Sequence, residues 1–243
     1  MKISILTVFP EMILPYTETS ILGRAQKKGL IEIEVVNIRD FAESKHKNTD
    51  DYPFGGGVGM LMMPQPIFSA FESVKTENSI SIYTSPQGKV LTPEMAQELS
   101  KNEHIIILCG HYEGVDQRVI DNLIDREVSI GDYVLTGGEL ASLVIADATA
   151  RFVDGVLGSA DSAYEDSFSD GLLEAPQYTR PSDFNGLKVP EVLLSGNHAN
   201  ICAWQREMQL RVTLEKRPEL LEKADLSKKD KKILEEIKKS FAK

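Results

Sequence analysis

At 243 residues the chain is long enough to bury a sizeable core without disulfide or metal staples. Its 42% hydrophobic and 26% charged residues exclude wholesale disorder, and its two cysteines, Cys109 and Cys202, form no CxxC pair, which excludes a disulfide scaffold and fits a reducing, cytoplasmic setting. The net charge of −10 argues against a generic nucleic-acid binder, yet it is polarised: residues 125–175 hold eleven acids and two bases, Arg126 and Arg151, whereas residues 216–243 hold ten Lys/Arg and six acids. The first ten residues show no cleavage-type targeting signal. No run approaches 18 uncharged apolar residues, so no membrane-spanning helix is expected.

Residues 3–9 read as a strand broken by Pro10, residues 11–28 as a helix with Gly29 as its C-cap, and residues 31–38 as an alternating strand. Residues 40–63 read as a long loop containing Gly55, Gly56, Gly57 and Gly59. A helix over 64–74 and a strand over 79–84 follow. Thr92 caps a helix over 93–101 with Pro93 at its favoured first position. Residues 104–109 form a buried-type strand, 115–123 a helix, 127–130 and 133–135 short strands, and 139–151 a helix. Strands alternating with helices imply an α/β fold with a largely parallel sheet. Residues 155–177, rich in Gly, Ser, Ala and Asp, read as a flexible linker. Beyond them Ile201, Trp204, Met208 and Val212 mark a helix over 200–214, Arg217-Pro218 opens a short one, and Ser227 with Asp230 starts a charged C-terminal helix as a capping box. The expected organisation is an α/β domain over 1–154, a linker over 155–177 and a helical domain over 178–243.

Three loops rich in Gly or Pro follow predicted strands: Ser85-Pro86-Gln87-Gly88, Gly110-His111-Tyr112-Glu113-Gly114, and the stretch from Gly131-Asp132 to Gly137-Gly138-Glu139. In open α/β sheets ligands bind beyond the carboxyl ends of strands, and glycine lets main chain approach them closely. A pocket lined by main chain, suited to an adenine edge or a ribose, and a set of ordinary strand–helix turns both satisfy this spacing. The glycines at 55–59 fit neither a P-loop nor a dinucleotide fingerprint and read as a lid or connecting loop. His46, His104, His111 and His198 have no metal-ligand spacing, and no metal residue is assigned. Cys109 reads as a packed core thiol. Glu165-Asp166, between Tyr164 and Phe168, offers a carboxylate that gains basicity if the linker closes over a ligand. Arg151, the only base between Arg126 and Arg180, either pairs an acid or clamps a developing oxyanion. Arg24, Lys27 and Lys28 on one helix, and Lys45, His46 and Lys47 in one loop, are grouped cations that suit RNA phosphates or simply face solvent.

Taken in order, these blocks resemble the bacterial tRNA (guanine-N1)-methyltransferases of the TrmD type, in the SPOUT superfamily. The resemblance runs from Phe9-Pro10-Glu11-Met12 through Asp50-Asp51-Tyr52-Pro53-Phe54-Gly55-Gly56-Gly57, the three loops above, Gly155-Val156-Leu157-Gly158 and Glu165-Asp166-Ser167-Phe168 to Val192-Leu193-Leu194-Ser195-Gly196-Asn197-His198-Ala199. It implies a deep trefoil knot in the α/β domain, a homodimer with active sites shared between chains, and a tRNA substrate methylated on N1 of guanosine 37 when a guanosine precedes it. It implies S-adenosylmethionine as cofactor, held by Tyr83, Ser85, Pro86, Gly110, Tyr112, Glu113, Gly114, Ile130, Gly131, Asp132, Tyr133, Val134, Leu135, Gly137 and Gly138. It further implies a dependence on magnesium, Asp166 as general base and Arg151 as its charge-stabilising partner, with Glu113 as the alternative base or a magnesium partner. Arg24, Lys45, His46 and Lys47 are the expected RNA contacts. One position departs from the family pattern: Ala141 stands where a proline usually follows Gly-Gly-Glu-Leu, which implies a slightly looser pocket floor. Rival readings of the same crevice are a small-molecule transferase and an RNA-binding or ligand-sensing protein without turnover.

Overall fold

The apolar, β-branched runs of the first 130 residues assemble into a sheet whose neighbouring strands are all parallel. The structure, a computed structural model, describes residues 1–158 and 166–241. The chain divides into two compact units, residues 1–160 and 161–243. In the first, the strands are β1 (Lys2–Thr7), β2 (Glu32–Asn37), β3 (Asp50–Asp51), β4 (Leu61–Met62), β5 (Ser79–Val90), β6 (His104–Leu108) and β7 (Arg126–Ser129). Five form the main sheet in the order β2-β1-β6-β5-β7, while β3 and β4 pair as a separate antiparallel ladder. The helices are α1 (Leu14–Thr17), α2 (Ser20–Lys27), α3 (Pro64–Val74), α4 (Pro93–Leu99), α5 (Gln117–Leu123) and α6 (Glu139–Ala150).

A parallel sheet must be covered on both faces, so its central strands carry continuous apolar runs. All five residues of β6 are buried. Ile105 and Ile107 join Ile3, Ile5, Ile82, Leu143 and Ile145 in one core, while Ile106 and Leu108 join Leu6, Ile67, Phe71 and Val119 in the other. With both faces closed, the strand ends are where the sheet meets solvent.

Several elements match the sequence pattern closely. The helix expected over 64–74 is α3, and the Thr92 hydroxyl accepts a hydrogen bond from Met95 N at 3.2 Å to cap α4. Three expectations are corrected. The helix expected over 11–28 is instead a 3-10 turn, Pro10–Met12, followed by α1 and α2. The hydroxyls of Thr17 and Thr19 bond back to Ile13 and Pro15 carbonyls, and Ser20 takes φ +51 at the break. Residues 133–135 are not a strand. Gly131 at φ +147 turns the chain, and a Cβ there would lie 2.5 Å from the Tyr133 ring. The strand expected over 79–84 continues to Val90 after a four-residue excursion, because Thr84 and Lys89 both pair with Val128. Gly88 passes so near β7 that a Cβ would lie 2.4 Å from the Val128 nitrogen.

The second unit holds α7 (Glu191–Leu194), α8 (His198–Lys216) and α9 (Lys228–Phe241). Its core joins Leu172, Leu210 and Ile237, and Leu173 N donates to the Thr213 hydroxyl at 2.9 Å. Ser227 and Asp230 form the capping box of α9: Ser227 N donates to Asp230 Oδ2, and Asp230 N donates to Ser227 Oγ, each at 3.1 Å. Arg206 of α8 donates to both carboxylate oxygens of Asp230, at 2.9 and 3.2 Å. The Arg206 bonds hold the Asp230 carboxyl down at about 2, against the desolvation that would raise it.

A carboxyl depressed on folding stabilises the native state above its unfolded value, and that contribution is lost as pH falls through the folded value. Asp230→Asn should therefore destabilise the second unit by about 2 kcal/mol at neutral pH. In denaturant titrations of the whole chain, the difference from wild type should shrink as pH is lowered from about 5 towards about 3.

Candidate active site

Beyond the carboxyl ends of β5, β6 and β7, three loops enclose a cavity of about 440 Å³. This lies within the ~300–1,000 Å³ typical of small-molecule sites. Tyr83, Ser85 and Pro86 come from β5 and its excursion. Gly110, Tyr112, Glu113 and Gly114 come from the loop after β6. Ile130, Gly131, Tyr133, Val134, Leu135, Gly137 and Gly138 come from the stretch between β7 and α6. Asp132, expected among these contacts, does not line the cavity. His111, Gln87, Thr136 and Glu127 do line it and were not singled out as contacts. The first three lie within the three loops, and Glu127 sits on the adjoining strand.

Backbone contacts hold the loops together. Gly138 N donates to the Gly110 carbonyl at 2.7 Å, and an isolated bridge joins His111 to Gly137. Cys109 N donates to the Leu6 carbonyl, and Glu113 N to the Met60 carbonyl at 3.0 Å. Gly138 cannot be replaced without displacement, because a Cβ would lie 2.2 Å from Thr84 Oγ1 and 2.9 Å from Cys109 Cα and Gly110 N. Tyr112 sits in the left-handed region at φ +58, and its hydroxyl accepts a hydrogen bond from Arg39 at 3.4 Å.

The lining is part main chain and part acid. Burial, reinforced by Glu127, raises the Tyr83 phenol above its ordinary value, so it stays protonated. Glu113 and Glu127 give the wall negative charge. Glycine main chain that can meet a heterocycle or ribose, beside carboxylates that can meet a cation, fits the parts of S-adenosylmethionine. Burial pushes the Cys109 thiol far above its ordinary value and makes it a packing group rather than a nucleophile. Among the described residues no group of three or more His, Cys, Asp or Glu gathers as a metal site, so they form no protein cage for magnesium.

Arg151 is the half-buried C-cap of α6. Asp166, half-buried in the second unit, opens a turn in which Ser169 N donates to its carbonyl at 3.2 Å. Residues 159–165, which include Tyr164 and Glu165, lie outside the described residues. Arg24 is exposed in the last turn of α2, and Lys45 and His46 are exposed. Lys47, also exposed, takes φ +52 and pairs with Asp40 at 2.7 Å, so part of its charge is already answered.

The sequence model of the family described as "tRNA (Guanine-1)-methyltransferase TrmD" matches residues 1–223. A tRNA (guanine-N(1)-)-methyltransferase of Caldanaerobacter subterraneus subsp. tengcongensis is 57% identical over 237 residues, covering 97% of this chain and 98% of its own. Its counterpart in Dictyoglomus turgidum is 56% identical over 241 residues, covering 99% and 98%. That of Bacillus cereus strain AH820 is 54% identical over 241 residues, covering 98% and 99%. With a match that spans both units and every loop around the cavity, the chain belongs to the TrmD family of tRNA (guanine-N1)-methyltransferases.

Proposed function

We propose that the chain transfers a methyl group from S-adenosylmethionine to N1 of guanosine 37 in tRNA, beside the anticodon. The observation that carries this reading is the glycine-built, acid-walled cavity at the strand ends of a chain that belongs to this family. When bound, S-adenosylmethionine supplies an electrophilic methyl group on a sulfonium. The protein's own task is to prepare the acceptor. Guanine N1 keeps its proton at neutral pH and is a poor nucleophile until that proton leaves. In this reading the Asp166 carboxylate takes the N1 proton as N1 attacks, and Arg151 stabilises the negative charge that spreads to O6. Main-chain groups around Gly110 and Gly138, with Tyr83, orient the cofactor, since transfer to a positioned nucleophile depends chiefly on alignment. The base must be extruded from its stack to enter.

The reading includes a homodimer with shared sites. It is supported by α6, where Leu140 and Val144 are 53% and 44% exposed. Arg151 follows on the same stripe at helical spacing, so an apolar face that covers the first two would bring a partner to the arginine. The reading also includes a knotted path in the α/β domain, which rests on membership of the family. Residues 178–243 are read as the tRNA-binding domain, supported by the six lysines of α9. Among the described residues no helix is long and apolar enough to cross a membrane, and a cytoplasmic site of action completes the reading.

Incubated with methyl-labelled S-adenosylmethionine, the chain should label a tRNA transcript with G36-G37 at N1 of G37 and leave its A37 counterpart unlabelled. Bound cofactor with no label on either transcript would move the reading to another acceptor or to a binding role. Asp166→Ala should lower single-turnover transfer by ~10²–10⁴-fold while calorimetry finds cofactor affinity within about threefold of wild type. Gly138→Ala should do the reverse in order of cause, weakening cofactor binding about tenfold or more by forcing Gly138 away from Thr84 and Gly110.

A further inference from the structure

Two buried polar atoms beside the cavity have no hydrogen-bond partner among the described residues, and they belong to neighbouring side chains: Nδ1 of His111 and Oε2 of Glu139. They lie 3.7 Å apart. The Glu139 side chain is 1% exposed and that of His111 20% exposed. Glu139 is the first residue of α6, where the helix dipole favours a carboxylate. Its Oε1 already accepts a hydrogen bond from the Thr7 hydroxyl at 2.7 Å, and Thr7 Oγ1 in turn accepts from Phe9 N at 2.9 Å. The His111 ring lines the cavity and packs between Phe9 and Tyr112, with centroids at 4.7 and 5.1 Å.

The backbone is shaped around this pair. A Cβ on Gly137 would lie 2.4 Å from Glu139 Oε2 and 2.4 Å from His111 Nδ1, so only glycine leaves the two atoms a clear approach. The Thr7 hydroxyl and the buried Cys109 thiol lie beside Glu139, and the Tyr112 ring meets the His111 ring edge-on, while the Arg39 guanidinium sits over the Phe9 ring at 5.9 Å. A buried donor site and a buried acceptor left unpaired are each costly, and each is the other's near complement. Closing the gap by roughly 0.5–1 Å completes a hydrogen bond. Neither the proton transfer nor the cavity wall makes use of Glu139.

We propose that Glu139 is a positioning residue that acts through His111. Its Oε2 accepts a hydrogen bond from His111 Nδ1–H, fixes the ring's tautomer, and so anchors the 110–114 loop in the geometry that holds S-adenosylmethionine. The tautomer leaves Nε2 as an acceptor on a ring that faces the cavity wall. The inference rests on the reading of the cavity as the cofactor's pocket.

The test combines nitrogen-15 NMR of histidine-labelled full-length protein with calorimetry and steady-state kinetics. His111→Phe assigns the His111 resonances, because it keeps an aromatic ring and removes both nitrogens. In wild type, Nδ1 of His111 should carry the proton at a pH where the ring is neutral, and Glu139→Leu should abolish that preference. His111→Phe and Glu139→Leu should each raise Kd and KM for S-adenosylmethionine about tenfold with kcat at saturation changed less than about threefold. Glu139→Gln, which keeps the side-chain length and an oxygen acceptor, should restore affinity to within about threefold of wild type. Where Glu139→Leu fails to fold, His111→Phe and Glu139→Gln carry the test. An Nε2–H tautomer in wild type, or cofactor affinity unchanged in His111→Phe, overturns the pair. Wild-type protein that does not bind S-adenosylmethionine at all overturns the pocket's assignment instead, which keeps the two failures distinguishable.

Discussion

The Gly138 amide meets the Gly110 carbonyl at 2.7 Å, and the cavity depends on main chain coming that close. Both faces of the parallel sheet are sealed by helices, so the strand ends are the place left for a ligand. Ordinary side chains at Gly137 and Gly138 would collide with His111, Glu139, Thr84 and the backbone of Cys109 and Gly110. The glycines are therefore a requirement of assembly. They bring the loop after β6 and the stretch before α6 into register and leave a space framed by peptide groups.

Charge is distributed unevenly along the chain. The chain is acidic overall, and Glu113 and Glu127 carry that sign into the cavity wall, which under the proposed function faces a sulfonium and an ammonium. In the first unit Arg24 and Lys45 are exposed, and the second unit carries six lysines along α9. Under the proposed function such a layout lets an acidic protein attract phosphate locally while its cavity favours a positive ligand. The Arg206–Asp230 bonds give the second unit a polar anchor next to its small core of Leu172, Leu210 and Ile237.

Much of this was legible from residue order. The helix Pro64–Val74 follows from Pro at its start and an apolar face. The buried strand expected at 104–109, observed as His104–Leu108, follows from a run of three isoleucines continued by Leu108, and the Ser227–Asp230 cap from its four-residue signature. The cavity loops were legible as glycine clusters at strand ends. What escaped depends on partners distant in sequence. The 85–88 segment reads locally as a turn that ends a strand, yet β7 picks the chain up again at Lys89. Tyr133-Val134-Leu135 has strand-forming residues, but Gly131 bends the chain away and Val134 is left 83% exposed. Lys47 reads as a free cation until Asp40 is placed beside it. The approach of His111 to Glu139 depends on the backbone path at Gly137, which no periodicity encodes.

The most direct test of the account is a crystal structure of the chain with S-adenosylhomocysteine. The account expects the adenosine to lie between the 85–88, 110–114 and 130–138 loops, touching main chain near Gly110 and Gly138, with the Gly138–Gly110 hydrogen bond intact. A ligand bound elsewhere on the molecule, or a cavity whose loops must part to admit it, would contradict the claim that glycine-enforced close approach builds the site.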